Sequence, residues 1–308
     1  MTGRRRATGL SLTSWVLFAS SGPVAKAVMA TGWTPAAVTS VRIAVAAVVL
    51  LPGVALVRPR ALRFRREDGW LLLGYGVLGV AGVQLCFFVA VARVPVGVAM
   101  VLVNLAPALV ALWVRLVRRE RLPALVWVGT GLGVAGLVLV AQVWHGRGLD
   151  ALGIAAGVGA AVCSAGYFLL GEHSAGRHDP VGVTAVGLTI GAVVVGVVSP
   201  PWTVGPMDAA VTPGVPVWLA LLGLALAGTV LPYLAGLRAL RDLPVTLASV
   251  LALVEPVVAA GLAWLWLGET LGLVQVVGAV VLLSGAVVVQ VAGSRSREDM
   301  RTVGVAGR

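Results

Sequence analysis

Two ionisable side chains lie inside long apolar stretches of the sequence, where a charge is costly unless it faces protein or a water-filled cavity. Lys26 is the only lysine of the chain, and Glu255 lies well inside its own stretch. A lysine in this setting can bind a carboxylate, and a carboxylate can bind an amine or exchange a proton, so the pair suits a zwitterionic ligand. Two plainer interpretations stay open, because Lys26 is close enough to the end of its stretch to snorkel and Glu255 can pair with another helix.

Two prolines stand beside polar side chains in the same kind of stretch. Pro256 directly follows Glu255, and Pro107 lies three residues after Asn104. Proline removes a backbone donor and kinks a helix, and the carbonyls that a kink frees can bind a polar ligand. Asn104 is expected to bond either those carbonyls or the substrate.

Four more polar or amphipathic side chains interrupt the apolar stretches. They are Tyr75, Gln84, Tyr167 and Tyr233. Each by itself is consistent with ordinary packing. Together with Lys26, Asn104 and Glu255 they make a set that could line one polar substrate cavity.

Four residues are expected to have structural or gating roles: the charged residues Arg42 and Glu269, and the prolines Pro107 and Pro256. Arg42 can fix the packing of its helix by bonding the carbonyls at a neighbouring helix C-terminus. Glu269 can cap the N-terminus of the last apolar helix, where the helix dipole favours a carboxylate, with gating as the alternative.

The elements that must position these residues follow from the composition. Of the 308 residues, 59% are hydrophobic and 11% are charged, and the mean hydropathy is +1.01. A soluble globular protein has about 25% charged residues, so the composition excludes a soluble enzyme, a nucleic-acid-binding protein and a disordered chain. It predicts an all-α polytopic membrane protein, because a helix needs ~20 apolar residues to cross a bilayer.

Ten apolar stretches approach this length, which predicts ten transmembrane helices. They lie at 12–31, 36–57, 70–91, 95–117, 124–143, 151–171, 180–199, 215–237, 244–267 and 271–292. Nearly all the arginines fall in alternate loops and in the two tails, whereas the other loops carry only Arg93 and Arg147. By the positive-inside rule, both termini are expected on the cytoplasmic side of the membrane. The membrane itself is expected to be the inner membrane of a bacterium.

The second half of the sequence matches the first. Coincident residues include Pro107 with Pro256, Glu120 with Glu269, and a pair of glycines at 129 and 278. Apolar composition alone does not align Pro, Glu and Gly. Five predicted helices per half is an odd number, so the halves cross the membrane in opposite senses, which is typical of secondary transporters. A signal peptide ending near 25–27 is the alternative for the first stretch, but its removal would break this repeat.

The predicted organisation follows from this repeat. A cytoplasmic tail at 1–11 precedes a five-helix repeat at 12–143, and an extracytoplasmic linker at 144–150 leads to the second repeat at 151–292. A cytoplasmic tail at 293–308 ends the chain.

These residues resemble the EamA family of the drug/metabolite transporter superfamily over about residues 12–292. The resemblance rests on Pro95, Pro107 and Glu120 in the first half, and on Pro244, Glu255-Pro256 and Gly268-Glu269-Thr270-Leu271 in the second. The first half reads Arg119-Glu120-Arg121, a degraded copy of the second motif. The stretch 22–26, Arg42 and Leu231-Pro232-Tyr233 are similar to the threonine/homoserine exporter branch, which implies export of small amino acids.

No cofactor is expected. The G-x-G-x-x-G runs at 74–79 and 131–136 lie inside apolar stretches, where glycines let helices approach each other rather than hold a pyrophosphate. The sequence contains no Walker motif for ATP, and no Ser/His/Asp trio lies at membrane depth, which argues against an intramembrane hydrolase. Glu172-His173 with His178-Asp179 could bind a metal, but a solvated loop is the plainer interpretation.

The prediction is therefore a non-enzymatic secondary transporter that exports a small metabolite, most simply an amino acid, by alternating access. Lys26 would hold the carboxylate, and Glu255 would hold the amine or a proton. The expected partners are a small-molecule substrate and the lipid bilayer, with no nucleic acid, while monomer and homodimer both stay open. Rival functions are uptake, export of a drug or another metabolite, and a membrane scaffold or integral enzyme without transport.

Overall fold

Helices account for most of the chain. The computed structural model describes residues 2–94, 96–142, 144, 150–200, 202, 205–212, 214–267 and 272–306. The α-helices of this part are α1 (Thr2–Met29), α2 (Pro35–Val57), α3 (Gly69–Gly74), α4 (Val83–Val91), α5 (Val96–Val103), α6 (Ala106–Leu116), α7 (Ala124–Ala141), α8 (Ala151–Ala175), α9 (Pro180–Val198), α10 (Val217–Ala225), α11 (Leu231–Ala239), α12 (Val245–Leu251), α13 (Val254–Leu267) and α14 (Leu273–Ala306). A two-stranded antiparallel hairpin, β1 (Ala210–Thr212) and β2 (Val215–Pro216), lies between α9 and α10, and the all-α prediction did not include it.

Polar residues at the loop ends set where several helices begin. Thr34 accepts a hydrogen bond from the backbone N–H of Ala37 at the start of α2. Asp150 does the same for Gly153 at the start of α8, at 2.7 Å. Each of these side chains satisfies one of the donors that a helix N-terminus leaves unpaired.

Six helical segments of the described chain are long and apolar enough to cross a membrane. They are Pro35–Val57, Arg66–Ala90, Val98–Leu116, Ala151–Ala175, Pro180–Val198 and Val217–Ala239. Shorter apolar helices lie at Ala124–Val140, Val245–Ala259 and Leu273–Val289. The fold is therefore that of a multi-pass helical membrane protein.

Two pairs of helices are joined by π-helical segments instead of loops. Tyr75–Gly82 joins α3 to α4, and Leu226–Val230 joins α10 to α11. In the first, the N–H of Val83 reaches back five residues to the carbonyl of Leu78. Such a segment disturbs the regular pairing of backbone groups. The two segments fall at matching places of the sequence repeat.

Two other helix pairs are separated by short breaks. Asn104 and Leu105 separate α5 from α6, and residues 252–253 separate α12 from α13. Pro107 and Pro256 lie in the first turn after each break, and both are buried. The breaks thus lie beside the two prolines that were expected to kink their helices, again at matching places of the repeat.

Small residues bring the backbones of α7 and α14 into contact. A Cβ on Gly136 would lie 2.4 Å from the backbone N of Leu282 and 2.7 Å from the carbonyl O of Gly278. A Cβ on Gly285 would lie 2.5 Å from the carbonyl O of Gly129. Residues later in α7 therefore contact residues earlier in α14, so the two helices run antiparallel. Close approach through glycine is the usual way for helices to pack in lipid.

The two halves of the chain interlock. α1 packs against α11 and α13 of the second half, and α8 packs against α4 and α5 of the first. α2 and α9, which are the second long helix of each half, pack against each other. Side chains that belong to distant parts of the sequence are therefore neighbours in the interior.

The arginine-rich loops meet at one end of the molecule. Nε2 of His178 lies 3.2 Å from Oδ1 of Asp68, which joins the α8–α9 connection to the segment before α3. A guanidinium nitrogen of Arg241, in the α11–α12 connection, donates to the carbonyl of His178 at 2.7 Å. The loops that the charge pattern assigned to one side of the membrane are thus in contact with each other.

A second set of contacts at the same end centres on Glu172. Its carboxylate pairs with Arg118, after α6, at 2.5 Å and accepts from the backbone N–H of Val245, at the start of α12, at 3.1 Å. Asp179 caps α9 by accepting from Val181. These contacts occupy the carboxylates considered for a metal site, and the described residues contain no group of three His, Cys, Asp or Glu placed to hold a metal ion.

Candidate functional site

All three tyrosines of the chain meet in the interior. The rings of Tyr75 and Tyr167 lie 5.5 Å apart between centroids, and those of Tyr167 and Tyr233 lie 5.7 Å apart at nearly a right angle. We call these three residues the tyrosine cluster. Each ring is at least nine-tenths buried. The cluster joins the π-helical segment after α3, α8 and α11, so three of the residues predicted to share a cavity are indeed neighbours.

The tyrosine cluster continues into three aromatic residues that the sequence argument missed. Phe18 packs edge-on against Tyr233 with centroids 5.3 Å apart, Phe168 packs against Tyr167 at 5.2 Å, and Trp15 touches both phenylalanines. The spacing of Trp15 and Phe18 on one face of α1 was the available signal. These rings form an apolar wall beside the polar groups.

Two hydroxyls of the cluster have different environments. The Tyr233 hydroxyl donates to the carbonyl of Gly79, in the π-helical segment, at 3.0 Å. The Tyr75 hydroxyl is buried and interacts with the Tyr167 hydroxyl, without a close hydrogen bond to the described backbone. A Cβ on Gly187 would lie 2.6 Å from the Tyr75 ring, so this ring is held tightly by α9. Tyr75 therefore acts in packing, and Tyr233 fixes the π-helical segment.

Arg42 and Glu255 lie close to Tyr233. Arg42 of α2 and Glu255 interact electrostatically, and the Tyr233 hydroxyl interacts with both of them. Protein atoms surround both charged side chains, yet part of each surface is accessible to a water-sized probe. We call Arg42, Tyr233 and Glu255 the polar centre. Within a helical bundle in lipid, such charged groups are favoured only beside protein partners or water.

Glu255 owes its position to the break between α12 and α13. It lies in the first turn of α13, and its backbone N–H donates to the carbonyl of Ala252 at 3.0 Å. A carboxylate in the first turn of a helix is stabilised by the positive end of the helix dipole. Pro256 follows it and is buried against the neighbouring helices.

The other predicted residues of the first half are placed less centrally. The Asn104 amide donates to the carbonyl of Met100 at 2.9 Å, a carbonyl that also accepts from the Asn104 backbone N–H. Gln84 is partly buried on α4. Neither side chain forms a hydrogen bond with the polar centre in the described part of the chain.

Lys26 lies near the C-terminal end of α1. It is in the last turn of α1, and its side chain is exposed. Nearby residues of α1, Pro23, Val24 and Ala27, line a groove of about 470 Å³ against α10 and the hairpin. Glu269 falls outside the described residues, as does most of the 144–150 linker.

Comparison with known proteins identifies the family. The EamA-like transporter family matches residues 6–142 and 151–291. The chain belongs to the EamA-like transporter family. A crystal structure of a protein that is 20% identical has the same fold, with a TM-score of 0.77 over 94% of this chain and 98% of that chain.

Several relatives of this EamA-like protein carry names. The threonine/homoserine exporter RhtA of Salmonella typhimurium (strain SL1344) is 32% identical over 256 residues, which cover 81% of this chain and 79% of that protein. RhtA of Escherichia coli (strain K12) is 33% identical over 257 residues, 80% and 79% of the two chains. An uncharacterized transporter of Bacillus subtilis (strain 168), YdfC, is 26% identical and covers 87% of this chain and 86% of that protein.

Membership of the EamA-like family confirms the general prediction. Its homologues are membrane transporters and not enzymes, which implies a small-molecule substrate and a place in the bilayer. In the described part of the chain, the polar centre and the tyrosine cluster bring opposite charges and buried aromatic rings together. They are the candidate substrate site.

Proposed function

We propose that this protein is a secondary transporter that exports small amino acids, threonine and homoserine among them, across the bacterial cytoplasmic membrane by alternating access. The similarity to RhtA exporters over four-fifths of the chain carries the proposal. The chemistry of the polar centre agrees with it, because one guanidinium and one carboxylate beside a hydroxyl suit a zwitterion with a short side chain.

Alternating access in this protein would use ten transmembrane helices arranged as two inverted five-helix repeats. Two family matches of similar length support this arrangement. So do the π-helical segments and helix breaks at matching places of both halves. The antiparallel contact of α7 with α14 supports it as well, because helices that occupy the same place in the two repeats must run in opposite directions. Two similar halves can pack around one site in two ways, each open to one side.

Counterflow in proteoliposomes tests the substrate class. Unlabelled threonine or homoserine inside the vesicles should drive accumulation of labelled threonine, and a panel of sugars and organic cations should not. Glu255→Gln should lower the initial rate on the order of tenfold or more, because a charge-assisted bond to the ammonium is lost.

Glu67→Gln is the matched control, since Glu67 is an exposed carboxylate in the arginine-rich loop, 70% accessible. Its rate should equal that of the wild type. The proposal is wrong if no amino acid supports counterflow while another class of solute does.

A further inference from the structure

The guanidinium of Arg42 is buried with an unused donor. Its Nε has no hydrogen-bond partner among the described residues, although the atom is closed to solvent. An unpaired buried donor of a charged group is destabilising, more so than a neutral one. Such a group is expected where a ligand completes its bonding. The sequence argument had assigned Arg42 a structural role, and the structure places no helix C-terminus on this nitrogen in the described chain.

The nearest opposite charge does not neutralise Arg42 directly. Glu255 acts on Arg42 electrostatically, but no ion pair or hydrogen bond joins the two side chains in the part of the chain that is described. Tyr233 interacts electrostatically with both Arg42 and Glu255, and its hydroxyl already donates a hydrogen bond to the carbonyl of Gly79. A positive and a negative group therefore lie within electrostatic range of each other without forming an ion pair in the described chain.

A molecule with both charges fits this arrangement. A carboxylate can accept two parallel bonds from a guanidinium, and an ammonium can donate to a carboxylate, each at about 2.8 Å. An α-amino acid carries both groups on one carbon and would bridge the gap. Neither a simple cation nor a simple anion would satisfy both partners at once.

We propose that Arg42, and not Lys26, binds the α-carboxylate of the transported amino acid, while Glu255 binds its α-ammonium. This inference rests on the proposed function. Lys26 was the sequence-based candidate for the carboxylate, but its side chain is exposed in the last turn of α1.

Equilibrium binding to the purified full-length protein in lipid nanodiscs tests the assignment, with threonine and its C-terminal amide as probes. The wild type should prefer threonine over the amide on the order of tenfold or more, because the amide lacks the carboxylate. In Arg42→Gln this preference should disappear. In Lys26→Gln, which removes the same charge from the rival candidate, it should remain.

Two further variants keep the assignment testable if Arg42→Gln does not fold. Arg42→Lys keeps the charge but loses the planar pair of donors, and it should show a reduced preference for threonine over the amide. Glu255→Gln should lose the preference for threonine over the 2-hydroxy acid that lacks the ammonium. Size-exclusion profiles identify which variants are folded.

Two results would overturn the inference and are distinguishable. If the wild type binds no amino acid, the proposed function fails and the assignment fails with it. If threonine binds and its preference over the amide survives in Arg42→Gln or Arg42→Lys, or is lost in Lys26→Gln, the assignment alone is wrong.

Discussion

At the scale of single residues, the two tyrosine hydroxyls beside the polar centre make a natural comparison. Tyr233 donates to the Gly79 carbonyl, whereas the buried Tyr75 hydroxyl interacts with the Tyr167 hydroxyl and not with the described backbone. A π-helical segment disturbs the regular pairing of its carbonyls, so the bond from Tyr233 supplies a donor that the helix does not provide.

Tyr233→Phe should therefore destabilise the protein by about 1–3 kcal/mol, because it leaves a buried carbonyl without its donor. Tyr75→Phe is the matched comparison, since the Tyr75 hydroxyl interacts only with the neighbouring Tyr167 hydroxyl and leaves no carbonyl unpaired, so its loss of stability should be the smaller one. Thermal melting in one detergent measures both. A larger loss in Tyr75→Phe than in Tyr233→Phe would contradict this account.

At the scale of helices, the packing of α7 on α14 depends on which face a glycine occupies. A Cβ on Gly136 would press on the α14 backbone at 2.4 Å, but a Cβ on Gly131 would meet no described heavy atom within 4 Å. Both residues belong to the same G-x-G-x-x-G run. Gly136 thus lets α7 and α14 approach each other, whereas Gly131 is not needed for this contact.

Gly136→Ala should lower the melting temperature, because overpacking against backbone costs about 1–3 kcal/mol and cannot be relieved by rotating a side chain. Gly131→Ala should leave it unchanged or raise it slightly, since alanine favours the helix by up to ~1 kcal/mol. Thermal unfolding of the two variants in the same detergent is the measurement. Equal melting temperatures would show that α7 and α14 are not in backbone contact.

At the scale of the whole molecule, the contacts of Glu172 tie the two halves together at the arginine-rich end. Glu172 of the second half pairs with Arg118 of the first and accepts from Val245, while Asp68 and His178 form a second link. A transporter that alternates must break such links to open at this end. We infer that they hold the arginine-rich end closed.

Glu172→Gln should therefore increase the population that is open at this end. For the measurement, both native cysteines are replaced by serine, and spin labels are attached at the exposed loop positions 63 and 242 of the two halves. Pulsed electron paramagnetic resonance should then show an additional, longer distance between the labels in Glu172→Gln. Glu67→Gln is the control, because the Arg65–Glu67 pair lies within one exposed loop. Identical distance distributions in the wild type and in Glu172→Gln would contradict a closing role.

Much of this architecture was accessible from the sequence because it depends on local properties. Long apolar stretches predict helices in lipid, and the positions of Pro107 and Pro256 predict where two of them break. Coincident Pro, Glu and Gly predict related halves. The hairpin at 210–216 was missed, since its short strands lie in a loop and carry no clear alternating pattern.

The composition of the candidate site was only partly accessible. The sequence argument grouped the tyrosines with Glu255, and the structure brings the three tyrosine rings together and Tyr233 within electrostatic range of Glu255. That argument assigned Arg42 to packing and Lys26 to the substrate, whereas in the inference above Arg42 and Lys26 exchange these roles. Both are basic residues in the outer part of a predicted helix, so their sequence contexts look alike. The rotation of α1 and α2 about their axes, which determines where each side chain points, leaves little trace in stretches that are apolar all round.

The sequence by itself determined that this chain crosses a membrane many times, where its helices break, and which loops share an end, because hydrophobicity, proline geometry and charge act locally. Only the tertiary structure decided that the three tyrosine rings pack together and that Arg42, Tyr233 and Glu255 come within electrostatic range of one another. The physical reason is that contacts between helices depend on close packing of small residues and on helix rotation, and these are properties of the assembled bundle.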